Sequence, residues 1–279
     1  MLSYRHGFHA GNHADVLKHI VLTLILDYLK QKNKSYWFID SHAGAGKYSL
    51  ESKFSIKTSE HLGGISKIFH NEKNPIGLKE YIEIIRHLNE GNTLKQYPGS
   101  PWIASQMLSH EDRIRLFELH PTDLSALFQT LGKKQNIKIY GEDGFHGLRA
   151  LIPPPPKRAI ILIDPSYEIK NDYLKVIESL KESLKRFKTG IYMVWCPLIE
   201  RTEPLIMLKQ LQKLNTKEWL YVSLSISKPK NDIGMFGSYL FIVNPPWKLK
   251  NQLQEIMPYL SQQLGLKGHG SYEIEAKTS

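Results

Sequence analysis

Apolar and polar positions along this chain switch between helical and strand periodicity, and the switching predicts a succession of alternating elements. Residues 13–30 carry apolar side chains at helical spacing from Val16 through Leu29, with Asn12 placed to cap the first turn. A strand is predicted over 36–39, ending at Asp40 and running into a glycine-rich turn. Residues 51–110 read as mainly helical, with breaks at Gly63-Gly64, Asn74-Pro75 and Pro98-Gly99. Short apolar strands then recur over 114–117, 137–140, 160–163 and 191–195, with helical segments near 121–132, 171–187 and 199–214. Strands over 219–227 and 239–243 follow, and a last helix starts near residue 248.

Strand–helix alternation of this kind predicts an α/β fold with a mostly parallel sheet wrapped by helices. The closing strand pair, joined by a loop rather than a helix, predicts an antiparallel edge. The stretch 51–110 is too long for an ordinary connection, so it is expected to be an inserted helical subdomain within a main domain built from 1–50 and 111–279.

Composition narrows the class. A chain of 279 residues with 41% hydrophobic and 23% charged positions can bury a sizeable core and is not a disordered segment. The longest apolar stretch near the start, residues 20–26, is too short to cross a bilayer, and the polar, histidine-rich opening does not read as a signal peptide. The single cysteine, Cys196, excludes an internal disulfide and suits a reducing, cytoplasmic setting. The surplus of 37 Lys and Arg over 27 Asp and Glu, a formal charge of +10, favours an anionic partner, nucleic acid ahead of a membrane surface. These basic residues are dispersed, so no short patch marks a binding face, and charge alone also allows that they only solubilise the fold.

Candidate chemistry begins at the first turn. Residues 37–47 run from an apolar strand into Gly44-Ala-Gly46, where the missing side chains let the backbone approach a ligand at the carboxyl end of a strand. A phosphate-gripping P-loop would need glycine at Ser41 and Ser or Thr at Tyr48, and a dinucleotide fingerprint would need glycine at Ser49. A turn for a nucleoside cofactor remains. Glu118, at the tip of the 114–117 strand, can accept hydrogen bonds from two ribose hydroxyls, and the insertion accounts for its distance along the chain. Asp143, in Gly141-Glu-Asp-Gly144, follows the next strand and can bind an adenine amino group.

Residues 160–167, Ile-Ile-Leu-Ile-Asp-Pro-Ser-Tyr, carry the most information. A strand apolar on both faces delivers Asp164, then a proline-stiffened turn, then an aromatic ring. An adenine amino group is a poor nucleophile because its lone pair is delocalised into the ring. A carboxylate and a backbone carbonyl that accept its two hydrogens localise that lone pair and offset the positive charge that develops on nitrogen. Asp164 would supply the carboxylate, Pro165 the carbonyl and Tyr167 a stacking face. A plain Asp-Pro turn closing a strand is the alternative. Asn244-Pro-Pro-Trp247 matches an amine-methylating turn more literally, but it follows the 239–243 strand at the expected sheet edge, far along the chain from the cofactor turns, where proline is tolerated.

With these residues in view, the chain resembles the bacterial 23S ribosomal RNA adenine-N6 methyltransferase J family, RlmJ. The resemblance spans nearly the whole length. It rests on the string from Leu2 to His19, on Ser41-His-Ala-Gly-Ala-Gly46, Tyr97-Pro-Gly-Ser-Pro101, Glu118-Leu-His-Pro121, Asp143-Gly-Phe145, Asp164-Pro-Ser-Tyr-Glu168 and Asn244-Pro-Pro-Trp247. It implies a Rossmann-like methyltransferase fold with an inserted helical subdomain, S-adenosylmethionine as cofactor, 23S ribosomal RNA as substrate and no metal. It places the cofactor against His19, His42, Ser100, Glu118, Asp143, Gly144 and Asp164, assigns catalysis to Asp164, and puts Tyr4 on the RNA. The family's motif reads Asp-Pro-Pro-Tyr, whereas this chain has Ser166. His6, His9, His13 and His19 fit no standard zinc spacing. A DNA adenine methyltransferase and a catalytically silent RNA-binding module are the competing functions; the first would call for a larger recognition domain, and the carboxylates at all three turns argue against the second. A monomer is expected.

Overall fold

The computed structural model describes residues 6–32, 34–229 and 234–278. The first long helix, α1 (His13–Lys30), starts where Asn12 Oδ1 accepts hydrogen bonds from the backbone N–H groups of Ala14 and Asp15. Nearly all of α1 up to Leu26 is buried, because it lies between the main sheet and the segment that follows the first strands. That pattern is expected of a helix enclosed on all sides.

The chain continues through β1 (Trp37–Asp40), β2 (Lys47–Ser49), α2 (Lys53–Thr58), α3 (Lys79–Leu88), β3 (Gln96–Pro98), α4 (Ser100–Met107), β4 (Arg113–Phe117), α5 (Pro121–Leu131), β5 (Ile137–Tyr140) and α6 (Gly144–Leu151). Then come β6 (Ala159–Ile163), α7 (Asn171–Arg186), β7 (Ile191–Ile199), α8 (Glu203–Gln212), β8 (Trp219–Ser225), β9 (Met235–Val243), α9 (Leu249–Leu264) and β10 (Ser271–Lys277). Helix α3 buries Tyr81, Ile82, Ile84, Ile85 and Leu88, spaced as a single apolar stripe. The segment 51–110 carries the predicted helices and also β3, which pairs with β2 in a separate two-stranded antiparallel sheet.

Eight strands form the main sheet in the order β10-β8-β9-β7-β6-β1-β4-β5. Strands β7, β6, β1, β4 and β5 run parallel, and β9, β8 and β10 are added antiparallel. The expected antiparallel edge is present, but its outermost strand is β10, which follows the last helix. The elements predicted from the sequence end on that helix and omit β10, a mostly exposed strand in which Tyr272, Ile274 and Ala276 alternate with polar residues. As a result β9 lies inside the sheet, paired on both sides, and not at its edge.

Two apolar clusters sandwich the sheet. One joins α1, α3, α4 and α9 to one face through residues such as Phe38, Leu116, Leu162 and Met193. The other joins α6, α7 and α8 to the opposite face through Ile39, Phe117, Ile161 and Val194. Strand β6 is buried at every position, as its unbroken apolar run predicts. No helix among the described residues is long and apolar enough to cross a membrane.

Candidate active site

The chain leaves β1 at the middle of the sheet, adds β4 and β5 on one side, and returns to add β6 and β7 on the other. Where that order reverses, loops at the carboxyl ends of neighbouring strands diverge and leave a crevice. A cleft of about 520 Å³ lies there. His19, His42, Ser100, Glu118, Asp143, Gly144, Asp164, Pro165 and Tyr167 all line it. Tyr4 lies outside the described residues.

At one end the backbone of the first turn is shaped by its glycines. Gly44 and Gly46 have φ of 63° and 81°, which favours residues without a side chain. The Gly44 N–H donates to Glu118 Oε2 at 2.7 Å, and the His120 N–H donates to Oε1 at 2.7 Å. Glu118 therefore clamps the turn with one lone pair of each oxygen and keeps the others for hydroxyl donors; burial raises its pKa. Asp143 caps α6 by accepting from the Phe145 N–H at 2.8 Å. Gly144 lies against the first turn so closely that a Cβ there would meet the Ser41 carbonyl oxygen at 1.9 Å. The His42 ring packs edge-on against Phe145 at 4.8 Å. Sequence reading did not identify α6, yet its amino terminus shapes this wall.

Helix α4 brings Ser100 beside β1, where its hydroxyl donates to Asp40 Oδ2 at 2.6 Å. Asp40, fully buried, also accepts from the His42 N–H at 3.1 Å, and burial pushes its carboxyl up to about 7 against these two bonds. The sequence marked Asp40 only as a strand end; its polar identity at a buried position was the clue to more. His19 Nδ1 is 2.8 Å from the Tyr97 hydroxyl, and its Nε2 is buried without a hydrogen-bond partner among the described residues. Either tautomer leaves Nε2 with a bond to make.

At the other end stands Asp164. Lys18, buried on α1, donates to Asp164 Oδ2 at 2.6 Å and lies 2.9 Å from Asp15 Oδ1. Asp15 also accepts from His6 Nε2 at 2.9 Å and from the Gly11 N–H at 3.0 Å. Burial alone would favour a neutral Lys18, but the two carboxylates outweigh it and hold the ammonium above its usual range. Asp164 Oδ1 has no hydrogen-bond partner among the described residues. Neither Lys18 nor Asp15 was singled out from the sequence, because a helical lysine and aspartate three apart read as an ordinary surface pair.

Tyr167 departs from expectation. It is 4% exposed, at φ 54°, with its hydroxyl donating to the Trp195 carbonyl at 2.6 Å and its ring 4.5 Å from Tyr173. The ring is built into the cleft wall and does not stand as an open stacking face, because β7 runs directly beside the turn and offers the hydroxyl an acceptor. Ser166 makes no hydrogen bond through its N–H or hydroxyl among the described residues.

Asn244 is at the opposite end of the sheet. Strand β9 is antiparallel to β7, so Val243 pairs with Tyr192 near the start of β7, while the cleft lies beyond the carboxyl ends. Its amide donates to the carbonyls of Lys188 and Gly190 at 2.8 and 2.7 Å. The two prolines follow the strand and cost the ladder no donor. Asn244→Ala should leave the methyl transfer that the resemblance implies within about two-fold of the parent, at a stability cost of roughly 1–3 kcal/mol for the lost amide bonds. Initial rates and thermal unfolding measure both; loss of transfer by a folded variant contradicts the placement.

Buried histidines set the acid response. Burial pushes His13, His19 and His42 down to about 4, 3 and 4 respectively. Below about pH 6.5 the unfolded chain binds protons on these imidazoles that the folded chain refuses, so each withdraws about 1.4 kcal/mol per pH unit as pH falls. Asp40, raised to about 7, acts in the opposite sense between about pH 4 and 7, and the raised Glu118 and Asp172 add to it near the lower end. The histidines outnumber Asp40 over the upper part of that window. Thermal unfolding should therefore give a lower midpoint at pH 5 than at pH 6.5; a flat profile would show that the imidazoles protonate in place.

Comparisons with known proteins identify the family. A family model described as ribosomal RNA large subunit methyltransferase D, RlmJ, matches residues 33–278. Ribosomal RNA large subunit methyltransferase J of Escherichia coli (strain K12) is 42% identical over 270 residues, covering 97% of this chain and 96% of the relative. The protein of the same name from Haemophilus influenzae (strain ATCC 51907 / DSM 11121 / KW20 / Rd) is 41% identical over 276 residues, covering 99% and 98%. A crystal structure of a protein from Legionella pneumophila str. Philadelphia 1 superimposes with a TM-score of 0.91 at 35% identity, covering 97% of this chain and 99% of that one. The full-length likeness, and a cleft that gathers the motif residues from six separate segments, place the chain in the ribosomal RNA large subunit methyltransferase J family.

Proposed function

We propose that the cleft binds S-adenosylmethionine and that the protein methylates the N6 amine of an adenine in 23S ribosomal RNA. The observation that carries this reading is the meeting of the Asp164-Pro165 turn with the glycine turn, Glu118 and Asp143 in one cleft. The residues suit the cofactor: the Gly144 contact leaves room only for backbone, Glu118 retains acceptors for ribose hydroxyls, and buried His19 Nε2 lacks a partner among the described residues. His19, His42, Ser100, Glu118, Asp143, Gly144 and Asp164 would hold it. When bound, S-adenosylmethionine supplies an electrophilic methyl group on a sulfonium centre.

The chain's own residues do the rest. Lys18 occupies Asp164 Oδ2 and fixes the carboxylate, so Oδ1 is the oxygen left to accept one amine hydrogen. The Pro165 carbonyl accepts the other. Asp15, Lys18 and Asp164 together carry one net negative charge, which offsets positive charge developing on the amine nitrogen in a partly dry site. Tyr167, Tyr173 and Trp195 form the wall against which the base is positioned. Tyr4 contacts the RNA in this reading, residues 51–110 form an inserted subdomain, and the protein works as a cytoplasmic monomer without a metal.

The test is to incubate metal-free protein with labelled S-adenosylmethionine and either 23S ribosomal RNA or duplex DNA. Label should appear in RNA as N6-methyladenine. Label in DNA alone overturns the substrate, donor binding without any transfer returns the silent-module reading, and donor binding that requires added zinc overturns the metal-free cofactor site.

A further inference from the structure

We propose that the rim of the cleft formed by Phe8 and residues 53–62 is the surface along which the RNA strand flanking the target nucleotide lies, a proposal that rests on the RNA reading above. The short turn His6–Phe8 joins the cleft directly, since His6 and His9 line it. Helix α2 packs on that turn: the Phe8 and Phe54 rings meet edge-on at 4.9 Å, the Lys57 ammonium lies 6.0 Å from the Phe8 ring centroid, and the Thr58 hydroxyl donates to the Phe8 carbonyl. Along α2 and the turn after it Phe54, Ile56 and Leu62 are 40%, 62% and 59% exposed, and Lys53 and Lys57, one turn apart on α2, are exposed as well.

A run of exposed apolar side chains interleaved with ammonium groups is costly to leave in water and matches the two surfaces of a nucleic-acid strand. Base faces stack on aromatic rings, and phosphates pair with lysines. The neighbouring carboxylate of Glu60 is engaged by His9 and by the Asn12 amide, both at 2.9 Å, so it does not cancel the lysines; Glu51 is the exposed acid closest in sequence. Position selects RNA over other partners. For an adenine to enter the cleft, the nucleotides on either side must cross its rim, and this rim presents the needed chemistry.

The experiment compares three full-length variants with the parent by binding to transcribed 23S ribosomal RNA across a salt series, with steady-state methyl transfer and calorimetric donor binding alongside. Lys53→Glu/Lys57→Glu should weaken RNA binding about ten-fold or more and flatten the salt dependence by roughly one to two in slope. KM for RNA should rise with kcat and donor affinity nearly unchanged. Phe54→Leu, which preserves the apolar contact with Phe8, should weaken RNA binding several-fold with no change in salt slope. Lys181→Glu/Lys185→Glu on the exposed face of α7 makes the same charge change away from the rim and should stay within about two-fold of the parent. Equal weakening by both charge reversals, or parental binding by the Lys53/Lys57 variant, overturns the proposal. Self-association of the parent that Phe54→Leu abolishes would assign the face to a second copy and overturn it as well. A parent that methylates no RNA strikes the proposed function instead.

Discussion

Asp164→Ala is expected to reduce methyl transfer to below about 1% of the parental rate while the protein remains folded. The amine would lose the carboxylate that directly precedes the Pro165 carbonyl in the cleft, and with it the acceptor that localises the lone pair. Folding should survive because Lys18, the buried partner of Asp164, retains Asp15 at 2.9 Å. The cation is then still paired, and the large penalty for stranding a buried charge does not arise. Single-turnover transfer to 23S ribosomal RNA at saturating donor, with thermal unfolding as the control, measures both effects. An Asp164→Ala enzyme with near-parental turnover would move the catalytic acceptor elsewhere.

Lys18→Met should be the most destabilising single change in the cleft, by about 3–5 kcal/mol. The substitution removes the one cation that, among the described residues, sits between Asp15 and Asp164, whose side chains are 2% and 13% exposed. Two carboxylates then face each other in a poorly solvated site. His6 still donates to Asp15, so part of the charge remains answered. The sign of the pH dependence separates this cause from lost packing. In the parent, the raised Lys18 pKa means that its stabilisation is fully present below the unfolded lysine value of about 10.4 and is lost only above it. In the variant, stability should recover on acidification as the unpaired carboxylates take up protons. A loss of under about 1 kcal/mol, or one that is the same at pH 5 and pH 8, would show that solvent already screens the pair.

Much of the fold was legible because its causes are local. The apolar runs at 114–117, 137–140 and 160–163 become β4, β5 and β6 with ends shifted by no more than a residue. Asn12 caps α1 as its position ahead of the apolar period predicts. The glycine turn lies after β1 with positive φ at Gly44 and Gly46, where the missing Cβ is the physical requirement. Strand β10 was missed although Tyr272, Ile274 and Ala276 alternate with polar residues; only Ile274 and Ala276 are partly buried against the core, so the apolar signal is short and weak. Helix α6 was missed because its eight residues begin with glycine and include a second one, and helix propensity there is weak.

By itself the sequence determined which turns are candidates for chemistry, because φ requirements, strand period and the side chains beside them are written in consecutive residues. Only the tertiary structure decided which of those turns work together. Lys18 and Asp164 are 146 residues apart and meet because α1 lies along the sheet near the carboxyl end of β6. Ser100 and Asp40 are 60 residues apart and meet because α4 returns to β1 from the segment that follows it. Asn244-Pro-Pro-Trp247 has the more suggestive residues, but the antiparallel direction of β9 sends it to the end of the sheet away from the cleft. Strand direction and order are properties of the packed sheet, set by which faces bury together, and no window of neighbouring residues contains them.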